Sequence, residues 1–230
     1  MNEGFVISDL HLLSWRSQGQ ERFERLAPKL ANVDSLVLNG DIFDFRWAAR
    51  PHSETIPEAC EWLAKLQDEF PHLEIFYVSG NHDCLAEFIS LIEAWPGISY
   101  HPHFLALGKN LFLHGDAANY QMDLNRFERF RKYWENDAPR GRGSTLLYDF
   151  SDAIGLSEVT HKIWFYGDVA VRRVGWHLDQ VVPDWKETIE SCFFGHTHVP
   201  LSDITYQGVS FFNTGSGIRG MGFSPQRFCY

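Results

Sequence analysis

The sequence holds no C-x-x-C pair and no close-set cysteine framework: its 4 cysteines, Cys60, Cys84, Cys192 and Cys229, are scattered over 230 residues. That excludes a small disulfide-stapled scaffold and predicts free thiols in a reducing compartment. No apolar run approaches the ~18 residues that a membrane-spanning helix needs. The opening MNEGFVISDLH lacks a basic stretch followed by an apolar one, so no secretory leader is expected and the predicted location is cytoplasmic. Positive charge is scarce as well. Against 30 acidic residues stand 20 lysines and arginines, a net charge of −10, which argues against broad, stable binding of nucleic acid. Repeats, low-complexity segments and domain linkers are missing too. What is abundant is aromatic side chain, 15% of the chain with 19 Phe and 8 Trp, which predicts a well-filled core.

Six short apolar runs read as buried strands: GFVIS (4–8), SLVLN (35–39), EIFYVS (74–79), NLFLH (110–114), SCFFG (191–195) and VSFFN (209–213). Helical patterns such as GQERFERLAPKLANV and IPEACEWLAKLQDEF lie between the early ones. Alternation of strand and helix predicts an α/β architecture, and strands covered on both faces explain why the runs are continuous. From about 119 to 190 the rhythm changes to helical, aromatic-rich segments around a basic loop, APRGRGS. The reading is one domain, 1–230, with a helical insert or lid at about 119–190.

Five of the six runs lead straight into a polar cluster: SDLH (Asp9, His11), GDIFD (Asp41, Asp44), GNHD (Asn81, His82, Asp83), HGD (His114, Asp116) and GHTH (His196, His198). Taken singly each has an ordinary explanation: a capped turn, a surface histidine, a satisfied core histidine. The pair His196-x-His198 is the strongest lone signal, because alternate residues of an extended segment face the same way. Together the five point to one site, since in open α/β sheets the loops beyond the carboxyl ends of strands converge. Carboxylate oxygens and imidazole nitrogens without thiolate suit Zn, Mn or Fe. A pair of such ions needs a bridging carboxylate, and Asn81 offers a neutral oxygen ligand.

The order D-x-H, GD-x-x-D, GNHD, H, GH-x-H, running from Asp9 to His198, resembles the signature of the calcineurin-like metallophosphoesterases. The resemblance implies two mixed β-sheets packed as a sandwich and flanked by helices, with a centre of two metal ions, Mn, Fe or Zn, at the strand ends. It implies Asp9, His11 and His198 on one metal, Asn81, His114 and His196 on the other, and Asp41 bridging. His82 becomes the acid beside the leaving group, oriented by Asp44. The implied activity is hydrolysis of phosphomonoesters or phosphodiesters, with a water between the metals made acidic enough to attack near neutrality.

Within that family the openings DLHL and GDIFD, the HGD and GHTH, and the helical insert resemble the UDP-2,3-diacylglucosamine pyrophosphohydrolases. Those enzymes read GNRD where this chain reads GNHD, and Glu where it has Asp44. The nucleotide-sugar pyrophosphatase, with peripheral membrane contact, is therefore the second reading. A metal-binding scaffold that docks a protein partner is the third, and no position of the signature is missing to support it. Arg126, Arg129, Arg140 and Arg142 of the insert are candidate contacts for a small phosphorylated substrate, since guanidinium suits bidentate phosphate binding. Arg131 and Lys132 share that helical pattern, and the aromatics Phe127, Phe130, Tyr133 and Trp134 are expected to pack the insert on the core.

Overall fold

The computed structural model describes residues 2–48, 50–136 and 167–230; Arg140 and Arg142 lie outside them. In one sheet β1 (Glu3–Ile7), β2 (Ser35–Asn39), β3 (Glu74–Val78) and β4 (Ile98–His101) run parallel, and β10 (Gln226–Cys229) joins β1 antiparallel. The second sheet has the order β5 (Phe104–Leu107), β6 (Asn110–Leu113), β7 (Ser191–Phe194), β9 (Val209–Asn213), β8 (Leu201–Tyr206). Its three central strands are parallel and its two edge strands antiparallel. Both sheets are mixed.

Each central strand feeds two cores, which is why its sequence is apolar throughout. Val6, Val37, Phe76 and Val78 meet Leu105, Phe112, Phe193 and Phe228 between the sheets. Their neighbours Ile7, Leu36, Leu38, Ile75 and Tyr77 face the opposite way. There they pack under α1 (Gly19–Leu30), α2 (His52–Glu69) and α3 (Ala86–Glu93). On the outer face of the second sheet, Leu111, Cys192, Phe194 and Phe211 pack against α5 (Gly167–Val181) and Trp185 of α6 (Trp185–Thr188). Between the sheets the Phe112 and Phe193 rings stack 5.1 Å apart, a contact worth ~0.5–1.5 kcal/mol beyond its buried area.

All six expected strands are present. Four further strands occur among the described residues: β4, β8 and β10 are interrupted by polar residues (ISYH, LSDITY, QRFC), and β5, though apolar (FLAL), is four residues long with only Leu105 buried. Each lies at a sheet edge. At the site end, Asn39 joins the sheets: its side-chain amide donates to the carbonyls of Leu113 (2.9 Å) and Phe193 (3.2 Å), the last residue of β6 and the penultimate residue of β7.

Candidate metal centre

The five polar clusters meet beyond the carboxyl ends of β1, β2, β3, β6 and β7. The loops after β1 and β2 continue the ladder past the strands, with Asp9 N–H bonded to the Gly40 carbonyl (2.9 Å) and His11 N–H to that of Asp41 (3.0 Å). Asp9, His11, Asp41, His196 and His198 all have left-handed backbones, with φ between 50 and 66°. Aspartate tolerates that conformation better than most residues, but each instance still costs on the order of 1–2 kcal/mol. Gly40, at φ +85°, lies against the His114 ring, and a Cβ on Gly80 would collide with Asp41 Oδ1. The expectation that His196 and His198 sit on an extended segment is corrected here. β7 ends at Phe194, and the two histidines are brought to one side by a tight turn of left-handed residues around Thr197.

Two groups of side chains result. In the first, Nε2 of His198 lies 3.0 Å from Nε2 of His11 and 3.4 Å from Oδ1 of Asp9. In the second, Nε2 of His114 lies 3.1 Å from Asp41 Oδ2 and 3.3 Å from Nδ1 of His196. Asp41 Oδ2 is also 4.0 Å from His11 Nε2, so one carboxylate oxygen faces both groups. Its other oxygen accepts the His82 backbone N–H at 2.7 Å.

Nδ1 of His114, His11 and His82 is committed elsewhere, which orients those three rings. His114 Nδ1 donates to the Asn39 carbonyl (3.3 Å). His11 Nδ1 donates to Asp44 Oδ2 (3.2 Å), and His82 Nδ1 to Asp44 Oδ1 (3.0 Å). Asp44 therefore orients two histidines; sequence reasoning assigned it only His82.

Burial penalises the charges on Asp9, Asp41 and Asp44, but neighbouring histidines outweigh it and hold all three carboxyls below their usual range. Burial also disfavours charge on His82 and His114. The carboxylates of Asp44 and Asp41 raise His82 to about 9, and those of Asp41 and Asp116 raise His114 to about 10. For His196 burial wins and lowers it to about 4. Without a cation, protons on histidine balance the buried carboxylates.

The donor set fits divalent cations. Imidazole lone pairs and carboxylate oxygens converge within 4.8 Å of one another in each group. The Asn81 side-chain oxygen is buried with no hydrogen-bond partner, a costly state for a polar atom unless a cation takes it up. Asn81 lines a cavity of about 300 Å³ with Asp41, His82, His196 and His198; Trp47, Phe130 and Trp134 form its apolar part.

Asp83 and Asp116 belong to clusters that the sequence already directs to the site, and Arg131 to the basic pattern of the insert, but none was given a role; Asn39 was not foreseen at all. Buried Asp83 accepts from Gly80 N–H (2.6 Å), Ile42 N–H (2.8 Å) and the Tyr77 hydroxyl (2.7 Å), tying the loop after β3 to the loop after β2. Burial and the charge of Asp41 raise it to about 6. Its position in GNHD was visible, but its partners depend on topology. Arg126 and Arg129 are exposed on α4 (Leu124–Trp134). Arg126 stacks on Tyr120 and Arg129 bonds the Asn125 carbonyl, and neither lines the cavity. Of the α4 aromatics, Phe127 is buried against His177, while Tyr133 is 62% exposed and Trp134 leans on His82 with ring centres 4.9 Å apart.

A family model described as calcineurin-like phosphoesterase matches residues 5–200. No curated protein sequence matches the chain. Among solved structures it is similar to a dimetal phosphatase from Danio rerio, at 9% identity and TM-score 0.50 over 100% of this chain and 99% of that one. It is also similar to a phosphopantetheinyl hydrolase from Mycobacterium tuberculosis, at 13% identity and TM-score 0.48 over 98% and 95%. A nuclease from Pseudomonas putida matches at 15% identity and TM-score 0.43 over 96% and 78%.

Proposed function

The chain belongs to the calcineurin-like phosphoesterase family, a metal-dependent family of hydrolases acting on phosphoester bonds, and from that premise we propose a two-metal phosphomonoesterase or phosphodiesterase. The observation that carries the reading is Asp41 Oδ2, placed between His114 at 3.1 Å and His11 at 4.0 Å. Asp9, His11 and His198 would hold one cation; Asn81, His114 and His196 the other; Asp41 both. Bound there, divalent cations supply Lewis acidity, positive charge opposite the phosphoryl oxygens and a more acidic water.

The chain's own contribution is proton control. His82 lines the cavity, and Asp44 takes its Nδ1 proton in a hydrogen bond. That leaves Nε2–H to protonate the departing alkoxide. With its pKa raised to about 9 by Asp44 and Asp41 against the pull of burial, the ring carries that proton at neutral pH. The His82–Asp44 pair is also the observation that favours simple esters over a nucleotide-sugar diphosphate, because the pyrophosphohydrolases resembled above have Arg and Glu at these positions.

The test is a substrate panel with added Mn²⁺: p-nitrophenyl phosphate, bis-p-nitrophenyl phosphate, cyclic nucleotides and UDP-2,3-diacylglucosamine. Turnover of one or more of the first three is expected. Turnover of the last alone selects the pyrophosphatase reading. No turnover of any, with metal content confirmed by elemental analysis, sinks the assignment.

A further inference from the structure

Helix α4 carries Arg126, Arg129, Arg131 and Lys132; three stay at the surface, whereas Arg131 goes inside and is only 6% exposed. A buried guanidinium is tolerated when its five N–H groups find acceptors, and here all five do. Nε donates to Asp116 Oδ2 (3.0 Å), and Nη2 to the same oxygen (2.5 Å) and to the Ser79 carbonyl (2.7 Å). Nη1 donates to the Gly80 carbonyl (2.7 Å) and Ser79 Oγ (3.2 Å).

The acceptors are not random. Ser79 and Gly80 lead directly into Asn81. Asp116 follows His114 by two residues, and its remaining oxygen lies 3.9 Å from Nδ1 of His196 with no hydrogen-bond partner of its own. One side chain thus grips the backbone that delivers Asn81 and the carboxylate beside His114 and His196. None of its five hydrogen bonds reaches Asp9, His11 or His198.

We propose that Arg131 is a positioning residue that makes α4 part of the metal centre and serves one of its two ligand groups, that of Asn81, His114 and His196. The inference rests on the two-metal reading above. Lysine at this position keeps a positive charge against Asp116, but one ammonium cannot reproduce a planar fork that spans a carboxylate and two carbonyls.

The experiment titrates the full chain with Mn²⁺ by calorimetry, and with Co²⁺ by visible absorption to report ligand geometry. Wild type is expected to take two equivalents. Arg131→Lys should bind one equivalent with unchanged affinity and the other about 10- to 100-fold more weakly, the usual cost of losing a residue that supports a ligand. The Co²⁺ spectrum should change for the weakened equivalent only. Asp116→Asn, which keeps the side-chain shape, should show the same selective loss, and it decides the matter if Arg131→Lys does not fold. A purely structural role would lower thermal stability with both affinities intact, or weaken both alike; either result overturns the proposal. A wild type that takes one equivalent overturns the two-metal reading and the proposal with it, before any variant is compared.

Discussion

Asp44 serves two masters at once: one oxygen holds His11 at 3.2 Å, the other holds His82 at 3.0 Å. It accepts both Nδ1 protons, leaving Nε2 of each ring for other work. Separate outcomes follow for the two carboxylates of GDIFD. Asp41→Ala should lose metal and activity together. His82→Ala should keep its metal, by elemental analysis, while kcat falls roughly 10²- to 10⁴-fold, the range for a lost general acid. The fall should be steepest for substrates with poor leaving groups, and metal loss from the His82 variant would contradict the division of labour. Asp44→Asn tests the shared role. If it behaves only like His82→Ala, its bond to His11 is idle; a fall in metal affinity as well shows that it steers both rings. The clusters that supply the proposed ligands were legible in the sequence because each stands at, or just past, the end of an apolar run. The second partner of Asp44 was not, since it depends on how close the loops after β1 and β2 run.

At the scale of elements, the site is built from chain ends with little room. Gly80 closes the loop after β3 against Asp41, and a methyl group there has nowhere to go but into Oδ1 of that carboxylate. Gly80→Ala should therefore destabilise by about 1–3 kcal/mol, as overpacking generally does. It should also reduce activity more than a surface change of equal destabilisation, read by thermal melts beside the assay above. Wild-type activity in a folded Gly80→Ala protein would show that the loop yields freely. Central strands announced themselves through continuous apolar runs because both faces are covered. Edge strands did not, for they expose one face and carry residues such as Asp203 and Arg227. The arginines of α4 were legible as a group but not individually. Helical spacing alone could not single out Arg131 as the one turned inward, because its acceptors lie on segments 15 and 52 residues away.

For the whole molecule, the balance of buried charge sets how stability depends on pH and metal. His82 and His114 titrate near 9 and 10 in the metal-free fold, above the ~6.5 of an unfolded histidine. Their protonation stabilises the fold fully below that ordinary value, and the contribution is lost as pH climbs through 9 to 10. The lowered carboxyls of Asp9, Asp41 and Asp44 work in the opposite sense: their contribution is present above ~4 and lost as pH falls further. In EDTA the melting temperature should therefore decline from pH 6.5 to 9.5. Saturating Mn²⁺ should flatten that decline, because cations replace the protons, so the gap between loaded and metal-free melts widens with pH. A flat or rising melting temperature in EDTA over that interval would refute this account. The left-handed backbones at Asp9, His11, Asp41, His196 and His198 bear on how the protein could be engineered. Glycine would relieve the strain at every one of them, so a screen that rewards thermal tolerance and never assays turnover will drift toward glycine at the positions proposed to hold the metals. Thermostabilised descendants of this chain must be bred with these loops held constant, or robustness will be gained at the expense of the proposed metal centre.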